Sequence, residues 1–443
     1  MATVHTQTDF AKGVMPDAGS SYDMGDASPG KIAVAIVIAR TVEFFDFFVY
    51  AIASVLVFPT LFFNAPDPVT GMLYSFAVFS VAFLARPLGS LLFNEIGRSF
   101  GRGVKLTAAL LMLGGSTIAV SFLPTYAQIG VLSTALLAVF RFGQGLGLGG
   151  AWDGLVSLLA LNAPDNRRGW FAVFPQIGFT IGFCLASGLF LFLLTSLSRE
   201  DFLEWGWRFP FFVALALNVV ALFARLRLTV TPDFTRLLER HELQPQPLSR
   251  LFRVNAREVI IGAFIPLASF ALFHIVTVFA LGWTALYTGY DTTRFLALQL
   301  IGAAIAGGAM FLSGLIADKI GRRTLLAITA VLIGIFSLFI TSLLGGNETG
   351  LFLFVFIGFG LLGLSFGQAG GAIAARFSRE LRYTGASFTT DIAWLVGAAF
   401  APLVALGLAS RYGLAFSGYY LLSGSVCTLI ALAVTRKLET TNE

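Results

Sequence analysis

Residues 32–58 read IAVAIVIARTVEFFDFFVYAIASVLVF, an apolar run in which the only ionisable acids and bases are Arg40, Glu43 and Asp46. About 20 consecutive apolar residues are enough for an α-helix to cross the hydrocarbon core of a bilayer. The run therefore predicts a membrane-spanning helix. It also places three charged groups where lipid would exclude them, which indicates that they have a use.

The whole chain has a composition that suits lipid better than water. Of its 443 residues, 57% are hydrophobic and 12% are charged, and the mean hydropathy is +0.83. A soluble chain of this length cannot bury so much apolar surface. The apolar runs are long and continuous, whereas the strands of a β-barrel would alternate in polarity. We expect an all-α polytopic membrane protein.

Twelve apolar segments reach spanning length. An even number of spans puts both termini on one side of the membrane, and most of the 29 Lys and Arg residues fall in the tails and loops of that side. Positively charged loops remain in the cytoplasm, so we expect both termini to be cytoplasmic. The expected spans are residues 32–58, 72–93, 104–123, 129–151, 170–195, 207–226, 257–281, 295–317, 324–344, 351–375, 385–409 and 413–434.

The spans separate into two sets of six. Residues 1–31 are polar and lack the apolar core of a signal peptide, so we expect a disordered cytoplasmic tail. Residues 32–227 are expected to form the amino-terminal bundle and residues 257–434 the carboxy-terminal bundle. Residues 228–256 are the expected cytoplasmic linker, and residues 435–443 form a second cytoplasmic tail.

The two halves of the chain repeat each other. The sequence FGQ occurs at residues 142–144 of span four and at residues 366–368 of span ten. The pair GR occurs at residues 101–102 and 321–322, in the equivalent loops of the two halves. Together these matches indicate duplication. Parallel six-helix repeats are typical of transporters with a central cavity near the bilayer midplane.

The loop between spans eight and nine carries a family pattern. Residues 314–323, GLIADKIGRR, match G-x-x-x-D-R/K-x-G-R/K-R/K and resemble the corresponding loop of the major facilitator superfamily. The resemblance implies twelve transmembrane helices in two six-helix bundles around a central cavity. It also implies that this loop locks the outward-facing state. The gate residues that it assigns are Gly314, Asp318, Gly321, Arg322 and Arg323.

Within that superfamily the sequence resembles the metabolite:proton symporters. Residues 43–50, EFFDFFVY, are similar to the first-span pattern E-W-Y-D-F-x-x-Y, and residues 141–152, RFGQGLGLGGAW, are similar to R-x-x-Q-G-x-x-x-G-G-E-W. Residues 83–89 (FLARPLG), 205–211 (WGWRFPF) and 381–385 (LRYTG) complete the resemblance. It implies proton-coupled transport of organic acids or zwitterions.

Three positions depart from the family patterns. Arg98 stands where the first-half loop should have Asp, Ala151 stands where span four should end in Glu, and Arg40 replaces a small residue. We expect the first-half gate, which contains Arg98 and Arg102, to be altered. Asp153 is expected to substitute for the acid that is missing at Ala151.

Arg40, Glu43, Asp46 and Tyr50 form a stripe on span one, within an arc of about 120° at 100° per residue. An isolated charge at the bilayer centre costs about 2.5–3.5 kcal/mol on insertion scales, so the stripe should face water or itself. One interpretation is an Arg40–Glu43 salt bridge that only neutralises itself, but it leaves Asp46 unpaired. The other is a cavity wall with carboxylates that take up protons and contact substrate.

Span four adds Arg141 and, one turn later, Gln144 to the cavity candidates. Helix rise places Arg141 at a depth within about 6 Å of Glu43. Two interpretations stay open: a fixed ion pair that ties span four to span one, or a switchable arginine that binds either the carboxylate or an anionic substrate. Gln368 is a candidate because it is the repeat counterpart of Gln144.

His274 and Asp391 are the remaining cavity candidates. His274 is the only histidine within a span, and it suits a core side chain bonded to a carbonyl as well as it suits a proton carrier. Asp391 is an intramembrane acid in span eleven, and such acids usually face a cavity.

These patterns favour secondary active transport: proton-coupled symport of a small carboxylate or zwitterion by alternating access, in the cytoplasmic membrane of a bacterium. The alternatives are an uncoupled facilitator or effluxer of organic acids, and a transporter-like sensor. The chain has no nucleotide-binding loop, metal-spaced His/Cys cluster or nucleophile elbow. We therefore expect no enzyme activity, no metal, no cofactor besides the proton, no nucleic-acid partner and a functional monomer.

Overall fold

The computed structural model describes residues 29–151, 154–229, 235–236, 238–239 and 243–435, and every regular element in those ranges is a helix. Spans one to six are Pro29–Leu56, Pro68–Phe100, Arg102–Ser121, Val131–Gly150, Arg168–Ser196 and Phe209–Thr229. Shorter helices cover Phe58–Leu61, Tyr126–Ile129, Leu155–Asn162 and Arg199–Glu204, and single 3₁₀ turns cover Asp165–Arg167 and Gly206–Arg208.

The second half has the same number of spans, and three of them are interrupted. After the helix Leu248–Phe264, span seven consists of Leu267–His274, the π-helix Ile275–Phe279, Ala280–Trp283 and the π-helix Thr284–Thr288. Span eight is Thr292–Ile320, span nine Arg322–Leu338 with Ile340–Leu344, span ten Glu348–Ala374, span eleven Arg379–Gly397 with Ala401–Tyr412, and span twelve Ala415–Val434.

Ten of the described helices are long and apolar enough to cross a membrane by length and composition alone. The other two of the twelve are special in different ways. Pro29–Leu56 contains the three charged residues of the stripe, and Arg322–Leu338 has only 17 residues before a short break. Several helices exceed the apolar segments: Pro68–Phe100 extends beyond the expected span by residues 68–71 at one end and by residues 94–100 at the other.

The helices pack as two bundles. In the first half, span one contacts spans five and six, span four contacts spans two and three, and span three contacts span six. In the second half, span ten contacts spans eight and nine, and span twelve contacts spans seven and nine. The two bundles meet mainly through spans five and eight, five and ten, and two and eleven.

One end of the molecule carries the loops that follow spans two, four, six, eight and ten. We call it the basic end, because Arg102, Arg168, Arg250, Arg322 and Arg379 lie there, and we call the other the opposite end.

The duplication is visible in two glycines of the basic end. Gly101 ends span two and Gly321 ends span eight, with φ angles of 89° and 86°. Residues with a Cβ are disfavoured in this region of backbone space. The same tight turn therefore joins equivalent spans in the two halves.

Glycines allow span four to lie very close to its neighbours. A Cβ on Gly145 would lie 2.2 Å from the carbonyl oxygen of Ala82, and one on Gly149 would lie 2.1 Å from that of Arg86. Small residues at membrane helix interfaces permit such close backbone approach. This close packing fixes the position of Arg86 on span two.

Candidate functional site

A cavity of about 70 Å³ lies between the two bundles, and we call it the central chamber. Its charged lining residues come from spans one, two, six and eleven: Arg40, Glu43, Arg86, Arg225 and Asp391. Apolar and small polar side chains complete the wall: Ile36, Ala39, Phe44, Phe47, Leu148, Gly149, Ala151, Val156, Ser387, Thr390 and Trp394.

Glu43 lies between two arginines on one wall of the chamber. Arg40 Nη1 is 2.5 Å from Glu43 Oε2, and Arg225 Nη2 of span six donates to Glu43 Oε1. Arg40 Nε also donates to the carbonyl oxygen of Pro175 at 3.4 Å, and Arg225 Nη1 donates to that of Ala151 at 2.9 Å. The predicted Arg40–Glu43 salt bridge is therefore present. It is one half of a larger cluster that ties span one to spans five and six.

Asp391 lies on the facing wall, in an ion pair that joins the two bundles. Nε and Nη2 of Arg86 in span two are both 3.0 Å from Asp391 Oδ1, and Ser90 donates its hydroxyl to Asp391 Oδ2. The Arg86 guanidinium also lies 5.9 Å from the ring centroid of Trp394. This ion pair is therefore a direct electrostatic contact between the two bundles.

Asp46 and Tyr50 do not line the chamber, which corrects the prediction of one continuous cavity wall. Only 2% of Asp46 is exposed. Its Oδ1 accepts from Thr117 Oγ1 at 2.8 Å and from Asn218 Nδ2 at 3.5 Å, in spans three and six. The stripe is wide enough for its two edges to meet different surroundings. Arg40 and Glu43 face the chamber, whereas Asp46 points into the amino-terminal bundle.

Arg141 does not pair with Glu43, so that expectation was wrong. Its Nη1 donates to Gln144 Oε1 at 3.0 Å, and its Nε donates to the carbonyl oxygen of Phe79 at 3.2 Å. The guanidinium also lies 3.8 Å from the ring centroid of Tyr50. An aromatic face and two neutral acceptors hold Arg141 inside the bundle, and Glu43 pairs with Arg225 instead.

Gln144 connects Arg141 to Asp46 but does not reach the chamber, contrary to prediction. Its Nε2 donates to Thr117 Oγ1 at 2.9 Å, and the Thr117 hydroxyl donates in turn to Asp46. Arg141, Gln144, Thr117 and Asp46 thus form a continuous buried chain of hydrogen bonds between spans four, three and one.

His274 lies in an aromatic cluster at the bundle interface. The ring is fully buried, and neither nitrogen has a hydrogen-bond partner among the described residues. The carbonyl bond of the first of the two interpretations is therefore absent, and the structure does not test the second. Its ring centroid lies 5.2 Å from that of Phe273 and 5.6 Å from that of Phe79. The aromatic cluster consists of Phe44, Phe47, Phe48, Phe79, Phe83, Phe179, Phe183, Phe270, Phe273, His274, Phe366 and Trp394.

The aromatic cluster separates the chamber from the opposite end. Phe44, Phe47 and Trp394 belong to both the cluster and the chamber wall. Along span one, which starts at the basic end, the cluster continues to Phe48, beyond Arg40. The chamber thus lies on the basic side of a layer of packed rings.

Gln368 lies outside the chamber, in the contact between the bundles at the basic end. Its Oε1 accepts from Arg322 Nε at 3.1 Å, and its Nε2 donates to the carbonyl oxygen of Gly169 at 3.1 Å. The predicted cavity position is therefore wrong. Repeat symmetry matched Gln368 to Gln144, but the two halves use the two side chains differently.

The gate loop of the second half makes the contacts that its charges suggest. Asp318 accepts from the backbone N–H groups of Gly169 at 2.6 Å and Trp170 at 3.1 Å, at the start of span five. A carboxylate is favourable at a helix N-terminus because it meets unpaired N–H groups and the positive end of the helix dipole. Asp318 thereby binds one bundle to the other.

The other residues of this loop support that contact. A Cβ on Gly314 would lie 3.0 Å from the Cα of Trp170, so the two bundles pack closely there. Arg322 Nη2 donates to the carbonyl oxygen of Arg168 at 3.3 Å, across the interface. Arg323 binds the carbonyl oxygen of Leu432 within its own bundle.

The first-half loop has different contacts, as its departures from the pattern suggest. Arg98 pairs with Glu95 at 2.9 Å on the exposed surface. Arg102 Nη2 donates to the carbonyl oxygen of Leu243 at 2.7 Å, and its guanidinium lies 5.7 Å from the ring centroid of Tyr383. Asp153 lies outside the described residues.

Arg86 and Arg225 are the charged chamber residues that sequence reasoning missed as candidates. Arg86 belongs to a segment that matched a family pattern. From the sequence, neither Arg86 nor Asp391 was assigned a partner, and pairing these two intramembrane charges of opposite sign could have found the site. Arg225 lies at the end of span six, where an arginine is usually attributed to the interface. Neither sequence position reveals which helix face the side chain occupies.

Comparison with known proteins identifies a matching family, relatives in sequence and solved structures with the same fold. A family model described as Major Facilitator Superfamily matches residues 36–402. The chain is 42% identical over 416 residues to the inner membrane metabolite transport protein YhjE of Escherichia coli K12, covering 93% of this chain and 94% of that protein. It is 30% identical over 395 residues to the shikimate transporter of the same organism, covering 87% and 88%.

A more distant relative is the proline/betaine transporter of Salmonella typhimurium, with 29% identity over 421 residues, covering 90% of this chain and 83% of that protein. Among solved structures, the proton:xylose symporter XylE superposes with a TM-score of 0.70 at 17% identity, covering 93% of this chain and 96% of that one. At that identity the likeness concerns the fold alone. The predicted fold class, twelve helices in two six-helix bundles, is confirmed.

Proposed function

The chain belongs to the Major Facilitator Superfamily, and on that premise we propose that this membrane transporter of metabolites carries a small carboxylate in symport with a proton. Transport would proceed by alternating access, with the proton as the only cofactor and a monomer as the functional unit. We further propose a bacterial cytoplasmic membrane with both termini in the cytoplasm. The positively charged loops of the basic end support this orientation. The family consists of transporters, so the protein is not an enzyme.

The single observation that carries this proposal is the Arg86–Asp391 ion pair. Its two members belong to opposite bundles, and both line the central chamber. A substrate carboxylate can replace Asp391 as the partner of Arg86, because arginine binds carboxylates through two parallel hydrogen bonds. In this structure Nε and Nη2 of Arg86 both meet one oxygen of Asp391, and the same two donors are available to the carboxylate of a substrate once Asp391 leaves.

Proton binding then follows from the charge of the displaced acid. Arg86 is the one ion-pair partner of Asp391 among the described residues. Without it, Asp391 would be a buried carboxylate in no direct ion pair, which is costly in a membrane interior. Protonation removes that cost. Substrate on Arg86 and a proton on Asp391 therefore favour each other, and such linkage is reciprocal.

The charges of the chamber support an anionic substrate. Its described lining residues include three arginines, Arg40, Arg86 and Arg225, and two acids, Glu43 and Asp391. The names of the relatives are consistent with a carboxylate group, because shikimate, proline and betaine each carry one, although proline and betaine also carry a cationic nitrogen.

The test is uptake by purified protein in proteoliposomes. Radiolabelled shikimate, proline and betaine are offered with and without an imposed pH gradient, and xylose serves as a neutral substrate. We expect a carboxylate to accumulate only with the gradient and a protonophore to abolish accumulation. Accumulation that survives the protonophore would contradict symport, and movement only down the substrate gradient would indicate an uncoupled facilitator.

Asp391→Asn separates binding from coupling. The amide resembles the protonated acid, so we expect substrate exchange across the membrane to continue while accumulation driven by the pH gradient is lost. Asp201→Asn is the matched control, because Asp201 is exposed near the opposite end and, among the described residues, its carboxylate accepts a hydrogen bond from Ser198 alone. If Asp391→Asn still accumulates substrate like the control, Asp391 is not the coupling group.

A further inference from the structure

A second and larger cavity, of about 640 Å³, opens between the bundles at the basic end. We call it the basic vestibule. Both bundles form it: Arg168 and Gln176 belong to span five, and Arg379 and Arg382 belong to span eleven. Ligand sites commonly have volumes of about 300–1,000 Å³, so the vestibule is large enough for a small metabolite.

The vestibule is separate from the central chamber but adjacent to it. Val156 lines both cavities, and Pro175 of the vestibule wall accepts a hydrogen bond from Arg40 of the chamber. The charged groups of the two cavities are different residues. A ligand in the vestibule would therefore not require the Arg86–Asp391 pair.

Positive charge dominates the vestibule. Its described lining has five basic residues and two acidic ones, and both acids already have partners within the protein. Asp318 caps the start of span five, and Asp165 pairs with Arg168 at 2.7 Å. The basic residues are Arg168, Lys319, Arg322, Arg379 and Arg382.

Arg382 is the basic residue that most needs a further partner. It exposes only 9% of its surface, and its one described hydrogen bond runs from Nε to the carbonyl oxygen of Phe377 at 3.2 Å. No carboxylate lies within salt-bridge distance of it among the described residues, and the nearby charges of Arg379 and Arg168 repel it. Buried arginines are normally paired, because the desolvation of an unpaired charge is expensive.

We propose that the basic vestibule is a second anion site, in which Arg382 binds a small phosphate or carboxylate anion with its two Nη groups. Arg168 and Arg379 contribute positive charge from either side. Because these arginines come from different bundles, the bound anion holds the bundles together at the basic end. It acts in concert with the Asp318 contact and favours the state in which that contact is made.

The test is binding of inorganic phosphate to the purified full chain in detergent, at constant ionic strength and pH. Thermal unfolding is followed with increasing phosphate, with chloride as the balancing ion. Ligands that bind only the folded state raise its apparent stability. We expect phosphate to raise the unfolding temperature of the wild type, with a saturating dependence that gives an apparent affinity.

Arg382→Gln should lower that apparent affinity about tenfold or more, since it removes hydrogen bonds to a charged group. Arg382→Lys keeps the positive charge but loses the paired N–H donors of the guanidinium, so its phosphate affinity should be intermediate. Arg98→Gln is the matched control, because Arg98 lies at the same end but outside the vestibule. Equal phosphate effects in all four proteins, or none in the wild type, would overturn the proposal.

Free anions and lipid headgroups share the same phosphate chemistry, and a second arm distinguishes them. The titration is repeated in nanodiscs of phosphatidylcholine and of phosphatidylglycerol. A phosphate effect that depends on Arg382 in both lipids identifies a free anion as the ligand. An effect present in phosphatidylcholine but lost in phosphatidylglycerol identifies an anionic headgroup in the same site.

The vestibule proposal and the proposed function fail separately. Phosphate binding by the Asp391→Asn protein should equal that of the wild type, because Asp391 does not line the vestibule. Loss of phosphate binding in that variant would show that the central chamber and the basic vestibule are parts of one site. That result would overturn the inference. The uptake measurements test the central chamber and leave the vestibule result unaffected.

Discussion

Thr117 is the central hydroxyl of the buried polar chain in the amino-terminal bundle. It donates to Asp46 and accepts from Gln144, so it satisfies two side chains that are themselves buried. A buried polar group that loses its partner costs about 1–3 kcal/mol, and more when it is charged. These linked hydrogen bonds thus stabilise the amino-terminal bundle and also hold Asp46 away from the chamber.

We predict that Thr117→Val lowers the free energy of unfolding by about 1–3 kcal/mol, because the valine leaves both neighbours without their hydrogen bonds. Thermal unfolding in detergent measures the effect. Thr107→Val is the control, since Thr107 is on the same helix and makes no side-chain hydrogen bond among the described residues. Equal unfolding temperatures for the two variants would contradict the role given to Thr117.

Arg86 permits a test of substrate charge at a single side chain. Lysine keeps the positive charge but cannot form two parallel bonds to a carboxylate, and glutamine loses the charge as well. We predict that carboxylate affinity falls in Arg86→Lys and falls further in Arg86→Gln. Competition binding to the purified protein measures both, and the Arg141→Lys protein serves for comparison because Arg141 lies outside the chamber. An unchanged affinity in both Arg86 variants would exclude Arg86 as the partner of the substrate carboxylate.

Span four is the element whose packing sets the position of the chamber wall. Its glycines bring its backbone against spans two and three, and Gly149 lies against the carbonyl of Arg86. Any side chain there must displace span two or its own helix. The ion pair with Asp391 depends on that same stretch of span two.

We predict that Gly149→Ala lowers the yield of folded protein and its unfolding temperature, because the added Cβ would lie 2.1 Å from the carbonyl oxygen of Arg86. Overpacking of this kind costs about 1–3 kcal/mol. Gly188→Ala is the matched control: it is also within a span, and nothing lies within 4 Å of its added Cβ. Helix propensity alone should leave Gly188→Ala as stable as the wild type or up to about 1 kcal/mol more stable.

Hydropathy could predict the spans, because each must be apolar over a fixed length whatever its neighbours are. It could not predict the rotation of each helix about its axis. The stripe on span one is an example. Helix periodicity predicted which residues share one face of span one. Whether Asp46 faces the chamber or Thr117 depends on where spans three and six pack. The π-helical segments that follow His274 likewise have no simple sequence signal.

The position of Arg225 shows the same limit for ion pairs. Depth along the membrane normal favoured Arg141 as the partner of Glu43, and helix rise alone can estimate such depths. Lateral position requires the order of helices in the bundle, which the sequence does not give. The repeat predicted equivalent loops, and Gly101 and Gly321 do share one backbone conformation. It did not predict equivalent roles for Gln144 and Gln368.

On the scale of the whole molecule, the two bundles are joined at the basic end by a small number of polar contacts. Asp318 accepts two backbone N–H groups across the interface, and Arg322 donates to a carbonyl oxygen of span five. The first-half loop has no equivalent acid: Arg98 occupies that position and pairs with an exposed glutamate. The polar contacts that hold the basic end closed therefore differ between the two halves.

We predict that Asp318→Asn slows transport more than Arg98→Ala does, at matched expression. The amide can accept from one N–H group but presents its own donors to the other, so the basic end should open more often. Ser387→Cys, on the wall of the central chamber, reports this opening when Cys184 and Cys427 are replaced by serine. Its labelling by a thiol reagent should be several-fold faster with Asp318→Asn and unchanged with Arg98→Ala. Equal labelling rates would show that Asp318 does not control the closure.

The aromatic cluster has a consequence for temperature. Access to the chamber from the opposite end requires rings of span one, such as Phe48, to separate from Phe273 of span seven, and water must then wet their faces. Each aromatic side chain buries about 150–250 Å², and wetting apolar surface adds heat capacity of about 0.45 cal/mol/K per Å². The enthalpy of reorientation should therefore change with temperature, so an Arrhenius plot of substrate exchange should curve in a lipid that has no phase transition over the range. Phe273→Leu, which wets less surface on opening, should flatten the curve, and a straight plot for the wild type would mean that the rings stay dry throughout the cycle.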